Sequence, residues 1–156
     1  MSSMSWFARM FLGAPRAVED LAPVIDLERR AVCGLTRADT RTTIEARLGP
    51  PDDFWLRRKG QLVYRQLGLQ LTVGADGALT GFSVFFDDAL RRAYRWEPGG
   101  LRAPPTERGL VDRLGPPAKR ATDDEEVMLE WERADSFLGV DFTLAGELAD
   151  VFVDYT

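Results

Sequence analysis

The side chains that could do chemistry in this chain are carboxylates, because its 156 residues include no histidine and a single cysteine, Cys33. Histidine is the usual general base near neutral pH and the commonest metal ligand. Its absence excludes Ser-His-Asp and Cys-His catalysis and histidine-containing zinc sites. One cysteine can form neither an internal disulfide nor a thiolate metal site, and its apolar surroundings predict buried packing. We therefore predict a protein that is not an enzyme, with no catalytic residue, metal or cofactor.

Three groups of adjacent acids are candidates for metal or acid-base sites. Neighbouring side chains diverge in strands and turns, so adjacent acids do not converge on one ion, and solvated loops are the simpler interpretation. The last group falls in a predicted loop between a helix and a strand, where recognition residues are often carried on a rigid scaffold. We predict that this last group contributes to partner binding. The groups are Asp52-Asp53, Asp87-Asp88 and the run Asp123, Asp124, Glu125 and Glu126.

A second set of acids is spaced for three neighbouring strands. Alternation places Glu130, Glu132, Thr143, Asp141 and Asp154 on one outer sheet face, together with the aromatic Phe152. Like charges opposed across strands are destabilising, so a fold that keeps them can be doing so for a partner. Two readings stay open, an ordinary polar outer face and a docking surface for a basic protein with Phe152 as its central anchor.

Charge is distributed unevenly along the sequence. The net charge is −5, but residues 98–156 hold 13 acids and 6 bases, whereas residues 1–97 hold 12 acids and 14 bases. An acidic half disfavours nucleic acid and favours a basic protein surface as partner. The short basic and aromatic stretch from Phe54 to Lys59 is too small a footprint for nucleic acid and is interpreted as a hairpin tip or a partner contact.

The elements that must position these residues are encoded twice. Residues 34–51 and 100–117 both open with Gly-Leu, carry threonine at the seventh position and close with Arg-Leu-Gly-Pro-Pro. In each copy the pattern predicts a helix of about 10 residues, which the glycine and prolines end. Gly99-Gly100, just before the second copy, is interpreted as a linker turn.

A β-meander is predicted after each helix. In the first copy its strands are Leu62 to Leu67, Leu69 to Val73 and Leu79 to Phe86, with the odd-numbered residues of the second strand facing the helix. In the second copy the buried face is assigned by the same alternation. Its members are Val127, Leu129, Trp131, Val140, Phe142, Leu144, Val151 and Val153.

This unit resembles a known repeat. A Gly-Leu-Thr opening, a helix that ends in Leu-Gly-x-Pro and a following meander with an aromatic residue are similar to the repeat of the SmpA/OmlA lipoproteins. Two units in tandem at this length resemble the β-lactamase inhibitory protein family, which implies paired helix-on-sheet units. We therefore expect an α+β protein in which two tandem helix-plus-antiparallel-meander repeats form one curved sheet, with the helices packed on one face. The predicted divisions are an N-terminal amphipathic helical segment, 1–22, and repeats at 23–96 and 97–156.

The N-terminal segment places Trp6, Phe7, Met10 and Phe11 at helical spacing over residues 5–12. No stretch reaches the roughly 20 apolar residues of a membrane span, and Arg9 interrupts any signal-like run, so a cytoplasmic location is predicted. Trp96 is interpreted as a packing wedge between the repeats.

The function favoured by these patterns is non-enzymatic protein binding, by an immunity or inhibitor protein that occludes a basic toxin or enzyme. Two alternatives remain. One is a structural or assembly module of an envelope or secretion system, anchored by the aromatic N-terminal segment. The other is a small-ligand binder with a pocket lined by Tyr64, Phe85 and Trp131. The sequence leaves the oligomeric state undetermined.

Overall fold

The computed structural model of the protein describes residues 24–86, 97–99 and 106–156. The predicted N-terminal helix at 5–12, the Asp87-Asp88 pair and Trp96 lie outside these residues. The described chain is α+β, with a few short helices and a mostly antiparallel β-structure, as the sequence predicted. The elements in chain order are β1 (Val24–Asp26), β2 (Ala31–Val32), α1 (Arg41–Leu48), α2 (Phe54–Arg58), β3 (Gln61–Tyr64), a 3-10 turn (Arg65–Leu67), β4 (Leu69–Val73), β5 (Leu79–Phe85), β6 (Glu97–Gly99), α3 (Glu107–Leu114), β7 (Lys119–Thr122), β8 (Glu126–Arg133), β9 (Ser136–Thr143) and β10 (Leu148–Tyr155).

Two sheets are formed by these strands. The larger has seven strands in the order β3-β4-β5-β10-β9-β8-β7, and every neighbouring pair in it is antiparallel. The smaller has the order β2-β1-β6, in which β1 and β6 run parallel. A strand from the middle of the chain and the last strand therefore meet in the middle of the large sheet, where β5 pairs with β10.

The hydrophobic core lies against one face of the large sheet. A single row of directly opposed residues crosses five of its strands, namely Leu71, Phe82, Val153, Leu138 and Trp131. All five are buried, because side chains opposed across antiparallel strands share a face. The inward and outward alternation predicted for β4 is confirmed by its burial pattern.

The helices add apolar residues to the same core. Ile44 and Leu48 of α1 and Leu110 of α3 are buried in one cluster with the sheet residues. Each of these helices begins at a threonine cap: the Thr40 hydroxyl accepts from the Thr43 N–H, and the Thr106 hydroxyl accepts from the Gly109 N–H at 3.0 Å. Such caps satisfy N–H groups that a helix leaves unpaired at its start. Both helices are eight residues long, slightly shorter than predicted.

The ends of α1 and α3 are tied to the sheet by aromatic donors. Gly49 and Gly115 follow the two helices with φ of 81° and 83°, a region that favours glycine. The Tyr64 hydroxyl donates to the Gly49 carbonyl at 2.9 Å, and the Trp131 indole N–H donates to the Gly115 carbonyl at 3.0 Å. A buried aromatic residue in each case satisfies its polar atom and a helix-terminal carbonyl together.

Two predictions in the first meander are wrong. The strand predicted over Leu62 to Leu67 ends at Tyr64, because the chain then turns through a 3-10 segment closed by Gly68 with φ of 59°. The stretch from Phe54 to Lys59 is not a hairpin tip but contains the short helix α2. Its cap is Asp53, whose carboxylate accepts from the Leu56 N–H at 2.9 Å.

Three predictions nearer the C-terminus are also corrected. The predicted helix-to-strand loop at 123–126 is instead the turn of a hairpin, because the polar segment Lys119–Thr122 forms the edge strand β7 and pairs with β8. Leu144 is 58% exposed, since β9 ends at Thr143 and Leu144 lies in the following turn. Gly99, predicted in a linker turn, ends strand β6.

Cys33 is half-buried and packs against the core, rather than being fully buried as predicted. Its backbone φ is 51°, in the left-handed region.

The hydrogen bond from Tyr64 gives a direct test of how α1 is held. We expect Tyr64→Phe to lower the free energy of unfolding by about 1 kcal/mol, because phenylalanine fills the same buried space but leaves the Gly49 carbonyl without this donor. Burial raises the pKa of Tyr64, so the wild-type phenol remains a donor at neutral and alkaline pH. Urea denaturation followed by circular dichroism measures the loss. An unchanged denaturant slope would show that only stability differs, and equal midpoints would contradict the assignment.

Candidate functional site

The candidate site is the outer face of β8, β9 and β10, which we call the acidic face. The strand register arranges its residues in three cross-strand rows, opposite the buried core. The five residues predicted for this face, Glu130, Glu132, Asp141, Phe152 and Asp154, all lie on it. The rows are Glu132, Phe137 and Asp154; Glu130, Gly139 and Phe152; and Met128, Asp141 and Asp150.

Two aromatic rings occupy the centre of the acidic face. Phe137 and Phe152 stack with ring centroids 5.7 Å apart and an interplanar angle of 29°. The Phe152 ring lies directly over Gly139, where a Cβ atom would fall 2.0 Å from its Cζ atom. Gly139 thus admits the ring by having no side chain. Phe137 was not predicted as a site residue. The sequence feature that could have indicated it is its position two residues before Gly139, on the outward-facing side of the strand's alternation.

Asp141 differs from the expectation of an exposed carboxylate. It lies on the predicted face but is only 6% exposed, and its Oδ1 atom is buried without a hydrogen-bond partner. The half-buried Asp150 on β10 is its cross-strand neighbour. Burial and the adjacent Asp150 carboxylate raise the pKa of Asp141 from 3.8 to about 7, and Glu130 and Asp123 act in the same direction. Burial also raises the pKa of Asp150, so the pair can hold one proton between its two carboxylates below about pH 7.

A proton shared in this way explains how the sheet accommodates opposed acids. Two ionised carboxylates side by side would repel, whereas a protonated Asp141 can donate to Asp150. The Asp141 carboxylate also raises the pKa of Glu126, at the start of β8. The acids of this face are thus electrostatically connected, although they come from separate strands.

Glu130 is partly neutralised within the fold. Its carboxylate lies 3.5 Å from the Lys119 ammonium of the edge strand β7. Glu132 and Asp154, by contrast, are exposed at the end of the face nearest Phe137. The surface that a partner could contact directly is therefore centred on the aromatic pair and on these two acids.

The turn between β7 and β8 lies at one edge of the acidic face. Asp123 stabilises it, since its Oδ1 atom accepts from the N–H groups of Glu125 and Glu126 at 2.8 and 2.9 Å. These bonds lower the pKa of Asp123 and keep it ionised. Asp124 and Glu125 are exposed. The predicted run therefore divides into a structural acid and exposed acids at the rim.

The predicted pocket of Tyr64, Phe85 and Trp131 is not formed. Tyr64 and Trp131 are buried on the core side and donate to helix-terminal carbonyls, whereas Phe85 pairs with Asp150 on the opposite face. Within the described residues no cluster of three or more Cys, Asp or Glu side chains could hold a metal ion. None of the described helices has the length and apolar character to cross a membrane.

Comparison with known proteins adds a likeness of fold. Neither a protein-family model nor a curated protein matches the chain. It is similar to the crystal structure of a DUF4309 family protein (YjgB) from Bacillus subtilis, with a TM-score of 0.50 and 14% sequence identity. The alignment covers 76% of this chain and 79% of that protein. The likeness concerns the fold alone.

The buried acid pair predicts a pH dependence of stability. Because folding raises the pKa of Asp141, the folded state binds protons more tightly than the unfolded chain. This stabilisation is complete below pH 3.8 and is lost as the pH rises to about 7. Asp141→Asn cannot ionise, so we expect its stability relative to wild type to increase across this range. The expected gain is on the order of 1 kcal/mol, since solvent screens part of the interaction at the half-buried Asp150.

Urea denaturation at pH 4, 5, 6, 7 and 8 measures this difference. Asp124→Asn is the matched control, because its carboxylate is exposed in the hairpin turn. A pH-independent difference between wild type and Asp141→Asn would contradict the shared proton.

The packing of Phe152 over Gly139 predicts strong coupling between these two positions. Gly139→Ala should destabilise the protein by about 1 to 3 kcal/mol, because the new methyl displaces a ring held by stacking on Phe137. In a Phe152→Ala background the same change should be close to neutral. A double-mutant cycle by urea denaturation measures the coupling. Additive effects would show that Phe152 does not occupy this position in solution.

Proposed function

We propose that this protein is a non-enzymatic protein-binding domain that occludes a basic surface of a toxin or enzyme, as an immunity or inhibitor protein does. The observation that carries the proposal is a stacked aromatic pair flanked by carboxylates from both neighbouring strands. Phe137 and Phe152 supply the apolar centre, and Glu132 and Asp154 supply exposed charge beside it. The proposal includes the cytoplasmic location predicted from the sequence.

The arrangement suits a basic partner for two physical reasons. Binding energy at protein interfaces concentrates in a few central anchors that become fully desolvated, and aromatic residues are common among them. Surrounding charges of one sign speed the association of a partner of the opposite sign. The net charge of −7 over residues 98–156, from 13 acids and 6 bases, extends this field beyond the immediate contacts.

We also propose that the described fold arose from two tandem helix-plus-meander repeats, 23–96 and 97–156, with their helices on one side of a curved sheet. Three matched details support this. Thr40 and Thr106 cap α1 and α3, Gly49 and Gly115 end them with nearly equal dihedral angles, and an aromatic donor bonds each glycine carbonyl. In the β-lactamase inhibitory protein family, which the two units resemble, paired helix-on-sheet units form one continuous concave sheet.

The acidic face is tested by capture from the lysate of the native host, with purified wild type, Asp154→Lys and Phe152→Ala as baits. We expect a basic protein to be retained by wild type, with recovery reduced at least about tenfold by either change, since a central anchor contributes 2 kcal/mol or more. Retention should weaken as salt rises. Asp141 is left unaltered because a lysine there would be buried.

Asp112→Lys is the matched control, since it changes net charge equally at an exposed position on α3. Equal recovery of the basic protein by all four baits would contradict the proposal that it binds to the acidic face. The captured protein is then purified and its activity measured with increasing amounts of this chain. Inhibition abolished by Asp154→Lys but not by Asp112→Lys identifies an inhibitor, whereas binding without inhibition indicates a structural or assembly role.

A further inference from the structure

A cavity of about 370 Å³ lies at the far end of β8, between the turn that follows β1 and the end of α3. Its size falls within the range of small-molecule sites. Three of its lining residues are arginines from three separate segments of the chain, and Trp131 also lines it. The lining residues are Glu28, Arg30, Arg113, Leu114, Trp131, Glu132 and Arg133.

Arg30 is the unusual member of this set. It is only 4% exposed, and its Nε atom is buried without a hydrogen-bond partner. Its Nη1 atom donates to the Leu27 carbonyl at 3.1 Å, and its own carbonyl accepts from the Tyr155 hydroxyl. The φ of Arg30 is 53°, a left-handed conformation that is uncommon for a residue with a side chain. The backbone and one guanidinium nitrogen are therefore held in place while Nε lacks an acceptor.

The charges around Arg30 do not fully compensate its positive charge. Burial and the neighbouring Arg133 lower the pKa of Arg30 to about 10, and the attraction of Asp135 is weaker than either effect. Asp135 also lies 3.9 Å from Arg37. A buried guanidinium beside a second cation is unfavourable unless a negative group compensates it.

Glu28 does not supply that compensation. Its carboxylate lies 3.1 Å from the Arg113 Nε atom, so these two lining residues neutralise each other. The Arg133 guanidinium donates to the Glu28 main-chain carbonyl, a neutral acceptor. Glu132, the other lining acid, is exposed. The lining therefore holds three arginines against two glutamates, and of these two glutamates Glu28 is already paired with Arg113.

We propose that this cavity binds the carboxylate or phosphate group of a small ligand, with Arg30 and Arg133 as its anion-binding residues. The planar guanidinium group matches both oxyanions and can donate two parallel hydrogen bonds to either. A bound oxyanion would balance the positive charge of the Arg30 guanidinium and relieve the repulsion between the two cations. This site shares Glu132 with the acidic face, but the proposed binding of an oxyanion does not rest on the proposed protein-binding function. None of the variants in the capture experiment changes Glu132, so that experiment does not alter the lining of the cavity.

The proposal is tested by NMR titration of the full chain, following arginine Nε–H and tryptophan indole signals. The probes are potassium phosphate and sodium acetate, and potassium chloride at matched ionic strength is the reference. We expect saturable shifts of the Arg30 and Trp131 signals with at least one oxyanion and not with chloride. Phosphate binding alone, acetate binding alone or both would identify the chemical group that the cavity accepts.

Arg30→Met and Arg133→Met remove one guanidinium each and keep comparable length, and methionine at position 30 adds no backbone strain beyond that of arginine. Either change should weaken the oxyanion affinity at least about tenfold, because each removes charge-assisted hydrogen bonds. Arg108→Met, at an exposed position on α3 outside the cavity, is the control and should leave the affinity unchanged.

Absence of saturable shifts beyond those of chloride would overturn the proposal, as would equal affinity in wild type and Arg133→Met. Arg133 is exposed, so its substitution tests the site even if Arg30→Met fails to fold. Failure of this titration would leave the acidic face unaffected, because the capture experiment uses different residues.

Discussion

The pairing of β5 with β10 is the interaction on which the rest of the structure depends. It joins Leu79–Phe85 to Leu148–Tyr155 and makes one seven-stranded sheet from strands that lie far apart in the sequence. Without it, β5 and β10 would each be an edge strand with unpaired backbone groups. The joined strands also oppose Phe82 to Val153 and Val84 to Val151, so the core is continuous across the junction.

This continuity fixes what the outer face can present. Because the pairing sets the register of β10, the same register that buries Val151 and Val153 turns Phe152 and Asp154 outward. The pairing of β9 with β10 then sets Gly139 beneath the Phe152 ring. A shift of one residue would exchange the two faces and bury the charged residues. The acidic face is therefore a consequence of how the core is packed.

Two regions of the described structure contrast in their electrostatics. On the acidic face, Asp141 and Asp150 tolerate each other by sharing a proton. At the end of β8, Arg30 and Arg133 line one cavity in which three arginines outnumber two glutamates. In both regions burial strengthens the repulsion between like charges, because the effective dielectric constant is lower inside a protein than in water. Unbalanced groups of this kind concentrate at binding sites, although structural networks also produce them.

The sequence by itself determined the local features. The Arg-Leu-Gly-Pro-Pro segments ended α1 and α3, and alternation assigned the inner and outer faces of β4, β8 and β10, because these signals act within a few residues. The edge strand β7 was not predicted, because its residues Lys119–Thr122 are mostly polar and show no alternation of apolar and polar residues. Helix α2 was missed although Asp53 is a recognisable cap.

Only the tertiary structure decided how exposed each charge would be. Asp141 has the sequence signature of an outward residue, yet cross-strand neighbours from β8 and β10 surround it. The arginine cavity joins residues that are 105 and 125 positions apart, through the contacts of Arg133 with Glu28 and Tyr155 with Arg30. Burial and repulsion depend on distances in space. A hydrophobic pattern that repeats every two or four residues does not specify the distances between residues far apart in the sequence.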